Sequence, residues 1–212
     1  MSETANETTR WESLERWSPR LFLVGGALFL LDVANDSMIY FAEMSNPETL
    51  SVVLLMSGFL AAVIGLVGLC PQLVDQTPRL AKASLGSVVL GVVGMLILAI
   101  LAVVSIVLPS VNLFESAIVP LVALPTGLLL VAAFLLSGSA ILRTDGFPRS
   151  VGVLLLAEVV LMVFVIAGPT EALGRGVFLV GAKLLHFIIL VSIGYLLRSR
   201  SAPKRHEGPS PA

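Results

Sequence analysis

Long apolar blocks alternate with short polar stretches along the chain, at roughly 20–41, 50–70, 84–108, 118–142, 150–168 and 176–197. A helix needs about 20 mostly apolar residues to cross about 30 Å of hydrocarbon, and each block is near or above that length. The pattern predicts an all-α polytopic membrane protein with six transmembrane helices, whose membrane domain covers 20–197. The first block is the weakest. Its clean apolar run from Leu21 to Leu31 stops at Asp32, and the span must continue through Asp36 to Tyr40 and Phe41. The links at 42–49, 109–117 and 169–175 leave no room for a folded domain on that side. Composition excludes a water-soluble fold. The chain is 57% hydrophobic and 13% charged, with mean hydropathy +0.99, against about 45–50% and about 25% in soluble domains.

Charge then orients the spans. Lys and Arg collect on the cytoplasmic side of membrane proteins. Arg10, Arg16 and Arg20 precede span 1, Arg79 and Lys82 follow span 2, and Arg143 and Arg149 follow span 4. Arg198, Arg200, Lys204 and Arg205 follow span 6. That places eleven on one side, one (Arg175) on the other, and Lys183 inside span 6. The split predicts six spans in a cell membrane with both termini cytoplasmic; five spans would spoil it. Residues 1–19 read as a cytoplasmic leader. Its acidic residues and missing basic n-region argue against a cleaved signal. Trp11, Leu14 and Trp17 recur every three residues, as in a short interfacial helix or in a solvated leader with anchoring tryptophans. Ser18-Pro19 reads as N-cap and first residue of span 1, and Asn46-Pro47 does the same for span 2. Residues 198–212 read as a disordered basic tail that sets topology or touches anionic lipid. A net charge of −1 gives no field to recruit nucleic acid.

The turns after spans 2 and 4 look alike. Asp75-Gln76-Thr77-Pro78-Arg79 and Asp145-Gly146-Phe147-Pro148-Arg149 are both D-x-x-P-R, 70 residues apart from Asp75 to Asp145. A repeat of that period pairs spans 2–3 with spans 4–5 as hairpins. In each turn proline starts the next helix, aspartate caps it and arginine anchors it at the interface. The stretch Gly138–Gly152 resembles the turn of small, uncharacterised, six-helix prokaryotic membrane proteins, which combine a small-residue helix end, a basic residue, Pro-Arg and a glycine. Ser150 stands where those proteins usually carry tryptophan. The resemblance implies a fold and no activity.

Small residues allow close helix approach in lipid. Gly58 with Ala62, Ala61 with Gly65, and Ser87 with Gly91 predict packing within the bundle rather than a dimer seam. Pro125 lies far enough inside span 4 to free a carbonyl and kink the helix. Lone Cys70 excludes an internal disulfide.

Ionisable residues inside a span are costly, at about 2.5–3.5 kcal/mol for Asp or Lys at the centre, and are functional suspects for that reason. Asp32, Asp36, Glu158, Lys183 and His186 fall about 12–22 Å from the cytoplasmic end at about 1.5 Å per residue. Asp32 and Asp36 share one face of span 1, and Lys183 and His186 share one face of span 6. Glu158 can meet Lys183 or His186, and Lys183 can meet Asp36 or Asp32. These pairings predict that spans 1, 5 and 6 gather around the five groups while the apolar faces of spans 2 and 3 turn to lipid. No enzyme signature accompanies them. Leu135-Leu136-Ser137-Gly138 lacks the first glycine of the rhomboid-protease motif, and Ser137 is far in depth from His186. A b-type haem needs paired histidines and only His186 lies in a span. Zinc on Asp32, Glu158 and His186 has no spacing signature behind it. The reading is therefore a non-catalytic membrane component without a cofactor, built on a buried polar network. It leaves open a protein partner or a homo-oligomer. The alternative is a small ion- or proton-coupled transporter or channel-like protein that uses the intramembrane acids.

Overall fold

The computed structural model describes residues 3–42, 48–107, 118–167 and 174–201. These residues form six helices and no strand: α1 (Glu3–Phe41), α2 (Glu48–Gln76), α3 (Pro78–Val107), α4 (Ile118–Leu142), α5 (Arg149–Ala167) and α6 (Arg175–Ser201). Each is long and apolar enough to cross a bilayer. In hydrocarbon every backbone N–H and C=O must be paired within the protein, which leaves helices and closed barrels, and apolar stretches of this length match a spanning helix rather than a barrel strand of about 9–11 residues. The chain is an all-α, multi-pass membrane protein.

Each helix packs against its neighbours in sequence, and α6 returns to α1. The most extensive contacts are those of α1 with α2 and α6 and those of α3 with α4. The contacts of α2 with α3 and of α5 with α6 are thinner. The bundle therefore divides into a trio of α1, α2 and α6 and a trio of α3, α4 and α5. Glycines set the close approaches. A Cβ on Gly25 would lie 2.9 Å from the Gly58 carbonyl oxygen of α2. Next to it, a Cβ on Gly26 would meet Val191 of α6 at 2.6 Å. Consecutive glycines thus let α1 sit tightly against a helix on either side. In the other trio, a Cβ on Gly91 would meet Leu130 at 3.0 Å, and Ser84 and Ser137 hydroxyls are hydrogen-bonded at 2.7 Å. The predicted small-residue contacts are internal to the bundle.

Four details differ from the sequence reading. Pro19 does not begin span 1; α1 runs through it as one helix of 39 residues. Proline removes one donor and crowds the carbonyl four residues back, but contacts on both sides of it hold the helix together. Ser18 is no cap, because its hydroxyl is buried and donates to the Gly65 carbonyl of α2 at 2.8 Å. A Cβ on Gly68 would meet the Leu14 carbonyl at 2.8 Å, so the α1–α2 interface continues past the proline. Second, Asp75 lies inside α2 and cannot cap α3, since Thr77 alone links the two helices. Third, Arg198 to Ser201 are the last turn of α6, while the rest of the tail lies outside the described residues. Fourth, span 2 is not turned mainly outward but is among the most enclosed of the six, whereas span 3 is mostly open. Asn46-Pro47 also lies outside the described residues.

One end of the bundle is tied by polar side chains. Gln72 donates to Glu15 and accepts from Arg200 at 3.1 Å. The Arg200 guanidinium lies 4.8 Å above the Phe147 ring. The Asp145 backbone N–H donates to Gln76 at 3.3 Å, so the two D-x-x-P-R turns touch. Their hairpins are nevertheless unequal, with helices of 29 and 30 residues against 25 and 19.

Candidate functional site

The stripe of α1 that faces α2 reads Ser18, Phe22, Gly25, Phe29, Asp32 and Asp36, spaced three or four apart. Spacings of three and four keep residues on one helix face, so the contacts that seat Phe22 against Gly65 and Phe29 against Gly58 carry both aspartates to the same interface. There they meet Ser51, one turn into α2, and Lys183 of α6. The Lys183 ammonium lies 2.6 Å from Asp36 Oδ2, 2.9 Å from Asp32 Oδ2 and 2.8 Å from Ser51 Oγ. Ser51 Oγ in turn lies 2.7 Å from Asp32 Oδ1 and 2.9 Å from Asp36 Oδ1. Asp32 is fully buried, and Asp36 and Lys183 are 3% and 8% exposed. Asp32 Oδ2 is close to the ammonium but outside hydrogen-bonding geometry, so no directed bond joins the two.

One turn away along α6, His186 Nδ1 lies 2.5 Å from Glu158 Oε1 of α5. Both are buried, and Glu158 Oε2 has no hydrogen-bond partner among the described residues. Phe29 stacks on the imidazole with ring centroids 5.1 Å apart, and Phe59 meets it edge-on at 5.4 Å. The imidazole is therefore walled by α1, α2 and α5. Its bond to Glu158 crosses the thinner seam between the two trios.

All five ionisable residues flagged in the spans are buried, and they sort into two adjoining groups rather than one. Of the pairings left open, Lys183 takes both aspartates and His186 takes Glu158; Lys183 and Glu158 are not paired. Span 5 supplies only the second group. The wall of the first comes from α2, through Ser51, which the sequence reading passed over. Asn35, beside Asp36, is also buried, with an amide nitrogen that has no hydrogen-bond partner among the described residues.

Chemically, the first group offers two carboxyls, an ammonium and a hydroxyl within hydrogen-bond reach of one another. It can hold three helices together. Among the described residues no three histidine, cysteine, aspartate or glutamate side chains are placed to hold a metal ion. Ser137, the serine of the rhomboid-like stretch, is bonded to Ser84, and His186 is bonded to Glu158. A cavity of about 230 Å³ lies at the other end of α1 and α6, lined by Glu15, Leu69, Gln72, Phe147, Leu197 and Arg200. No protein-family model, curated protein or solved structure matches the chain.

Proposed function

We propose that this multi-pass protein is a non-catalytic membrane component whose buried charges act as a clamp between α1, α2 and α6. The observation that carries the reading is the Lys183 ammonium, held within 2.9 Å of both aspartates and of Ser51 while almost wholly buried. A buried charge whose partner is removed is strongly destabilising, so each of the three helices depends on the other two. The bundle end that carries Arg16, Arg20, Arg79, Lys82, Arg143, Arg149, Arg198 and Arg200 is assigned to the cytoplasm on the positive-inside bias. A charge swap tests the clamp. Asp36→Lys alone and Lys183→Asp alone should lose monodisperse protein in detergent, and the two together should recover it. A swap no better than either single change removes the clamp.

A second reading rests on a separate observation, the inequality of the charges. Two carboxyls face one ammonium at the first group, so the site has room for one more positive charge. That inequality favours a small proton-coupled transporter or channel-like protein. Proton flux into vesicles of reconstituted protein, abolished by Asp32→Asn, supports it; vesicles no leakier than protein-free ones overturn it.

A further inference from the structure

We propose that the site between α1, α2 and α6 holds one exchangeable proton, carried by Asp32 and bonded to Ser51. The inference rests on the clamp geometry and does not require transport.

The hydrogens can be counted from the heavy atoms. A serine hydroxyl has one proton to give and two lone pairs to receive. Ser51 Oγ has three polar neighbours, at 2.7 Å, 2.9 Å and 2.8 Å: Asp32 Oδ1, Asp36 Oδ1 and the Lys183 ammonium. The ammonium only donates and so takes one lone pair. Were both carboxyls ionised, each would need a proton from Ser51, which has one. One carboxylate oxygen would then face the bare serine oxygen with no hydrogen between them. A proton on one carboxyl closes the count. That carboxyl donates to the second lone pair of Ser51, and the Ser51 hydroxyl donates to the other carboxylate.

Charge gives the same answer independently. Two carboxylates and one ammonium sum to −1, and a carboxylate is far costlier to bury than its neutral form. One proton makes the group neutral. No other titratable side chain described against this group alters the sum. Packed against α1 are α2, which contributes Ser51, and α6, which contributes Lys183. His186, one turn further along α6, is engaged by Glu158 of α5.

The two aspartates differ, which assigns the proton. Asp36 Oδ2 receives a directed bond from Lys183 at 2.6 Å, as suits an ionised carboxylate. Asp32 is wholly buried, and its Oδ2 receives no such bond. Asp32 therefore donates through Oδ1 to Ser51, and Asp36 keeps the charge that balances Lys183. If the proton leaves, the Ser51 hydroxyl can serve only one of the two carboxylates, and the ammonium must be shared between them.

Infrared spectroscopy of the purified full chain at neutral pH tests this. Aspartate occurs at only four positions, and Asp75 and Asp145 are exposed. The wild type should show a protonated-carboxyl band that shifts when aspartate alone carries ¹³C and shifts again in D₂O. This measurement needs no variant to fold. Asp32→Asn should fold well, since its amide can donate to Ser51 in place of the carboxyl proton, and should lose the band. Asp36→Asn should lose it too, because one carboxylate then balances Lys183. Glu158→Gln should keep it, and Ser51→Ala should displace it. A wild-type spectrum without an aspartate-labelled band overturns the proposal, and so does a band that survives both Asn changes. A site filled by sodium or potassium would give the first of these results. Recovery by the charge swap with no aspartate band removes the proton and leaves the clamp; no recovery removes the clamp itself.

Discussion

Replacing Lys183 with leucine should damage this protein more than replacing Lys183 and Asp36 together. Lys183 is 8% exposed and lies within 2.9 Å of two carboxyls. The single change leaves both acids buried with no cation, and breaking a buried pair from one side costs about 3–5 kcal/mol. The double change Lys183→Leu with Asp36→Leu leaves Asp32 alone, which as a neutral acid can still bond Ser51. Its cost is closer to that of an imperfect hydrogen bond, about 1–3 kcal/mol. The double variant should then be about 2 kcal/mol more stable than Lys183→Leu alone, and the coupling between the two positions is that difference plus whatever Asp36→Leu costs by itself, so at least about 2 kcal/mol. A different magnitude makes this diagnostic. Hydrogen bonds between membrane helices are worth about 0.6 kcal/mol on average, so a network held by hydrogen bonds alone gives a coupling near that figure. The assay is reversible unfolding of the wild type, both single variants and the double variant in mixed micelles, titrated with a denaturing detergent and followed by circular dichroism. A double variant as unstable as the sum of the singles would refute the ion-pair account. So would a Lys183→Leu protein within about 0.6 kcal/mol of wild type.

Reporter fusions after residue 201 and within 109–117 should fall on opposite sides of the membrane, with the C-terminus cytoplasmic; an external C-terminus contradicts the charge-based orientation. Gly25→Ala should destabilise by about 1–3 kcal/mol, because its Cβ would press on the Gly58 carbonyl at 2.9 Å. Gly181→Ala, with nothing within 4 Å, should be neutral or stabilising by up to about 1 kcal/mol, and thermal unfolding ranks the two. Ser137→Ala removes the hydroxyl pair with Ser84 and should cost about 0.6 kcal/mol in the same unfolding assay. Cys70 is buried, with its thiol directed at the Leu66 carbonyl at 3.6 Å, so non-reducing gels of fresh membranes should show no disulfide-linked dimer.

The spans were legible because lipid leaves an apolar segment of this length no alternative to a helix. Asp32, Asp36, Glu158, Lys183 and His186 were legible because charge in hydrocarbon is costly enough to announce itself. Ser51 was not. A serine near a helix end is cheap, and nothing about it marks a site until the acids on α1 are placed. A signal did exist in the α1 stripe. Ser18, Gly25, Asp32 and Asp36 share a face with Phe22 and Phe29, and α2 answers with Gly58, Ala62, Gly65 and Gly68 at matching intervals. Reading those two stripes together points to α2, rather than lipid, as the surface that α1 buries. Pro19 misled in the opposite direction. Its local preference for a helix start was overridden by tertiary contacts at Ser18 and Leu14, which no rule of local spacing contains. The choice of Lys183 for the aspartates rather than Glu158 likewise depends on the rotation of α6, which the sequence leaves free.

The clamp joins residues 147 positions apart, Asp36 and Lys183, and this has a consequence for biosynthesis. Chains emerge from the ribosome at about 5–20 residues per second, so at those rates Lys183 follows Asp36 by roughly 7–30 seconds. Throughout that interval α1 carries two acids and no counter-charge. Ser51 arrives within about 3 seconds at the same rates, and α2 is the first helix that can shelter them. The early α1–α2 pair is therefore a provisional hairpin, apolar enough to enter the bilayer yet incomplete until the last helix is delivered. A ribosome stalled before Lys183 should yield a nascent chain whose first hairpin stays beside the insertion machinery, and one stalled well after residue 201 should release it.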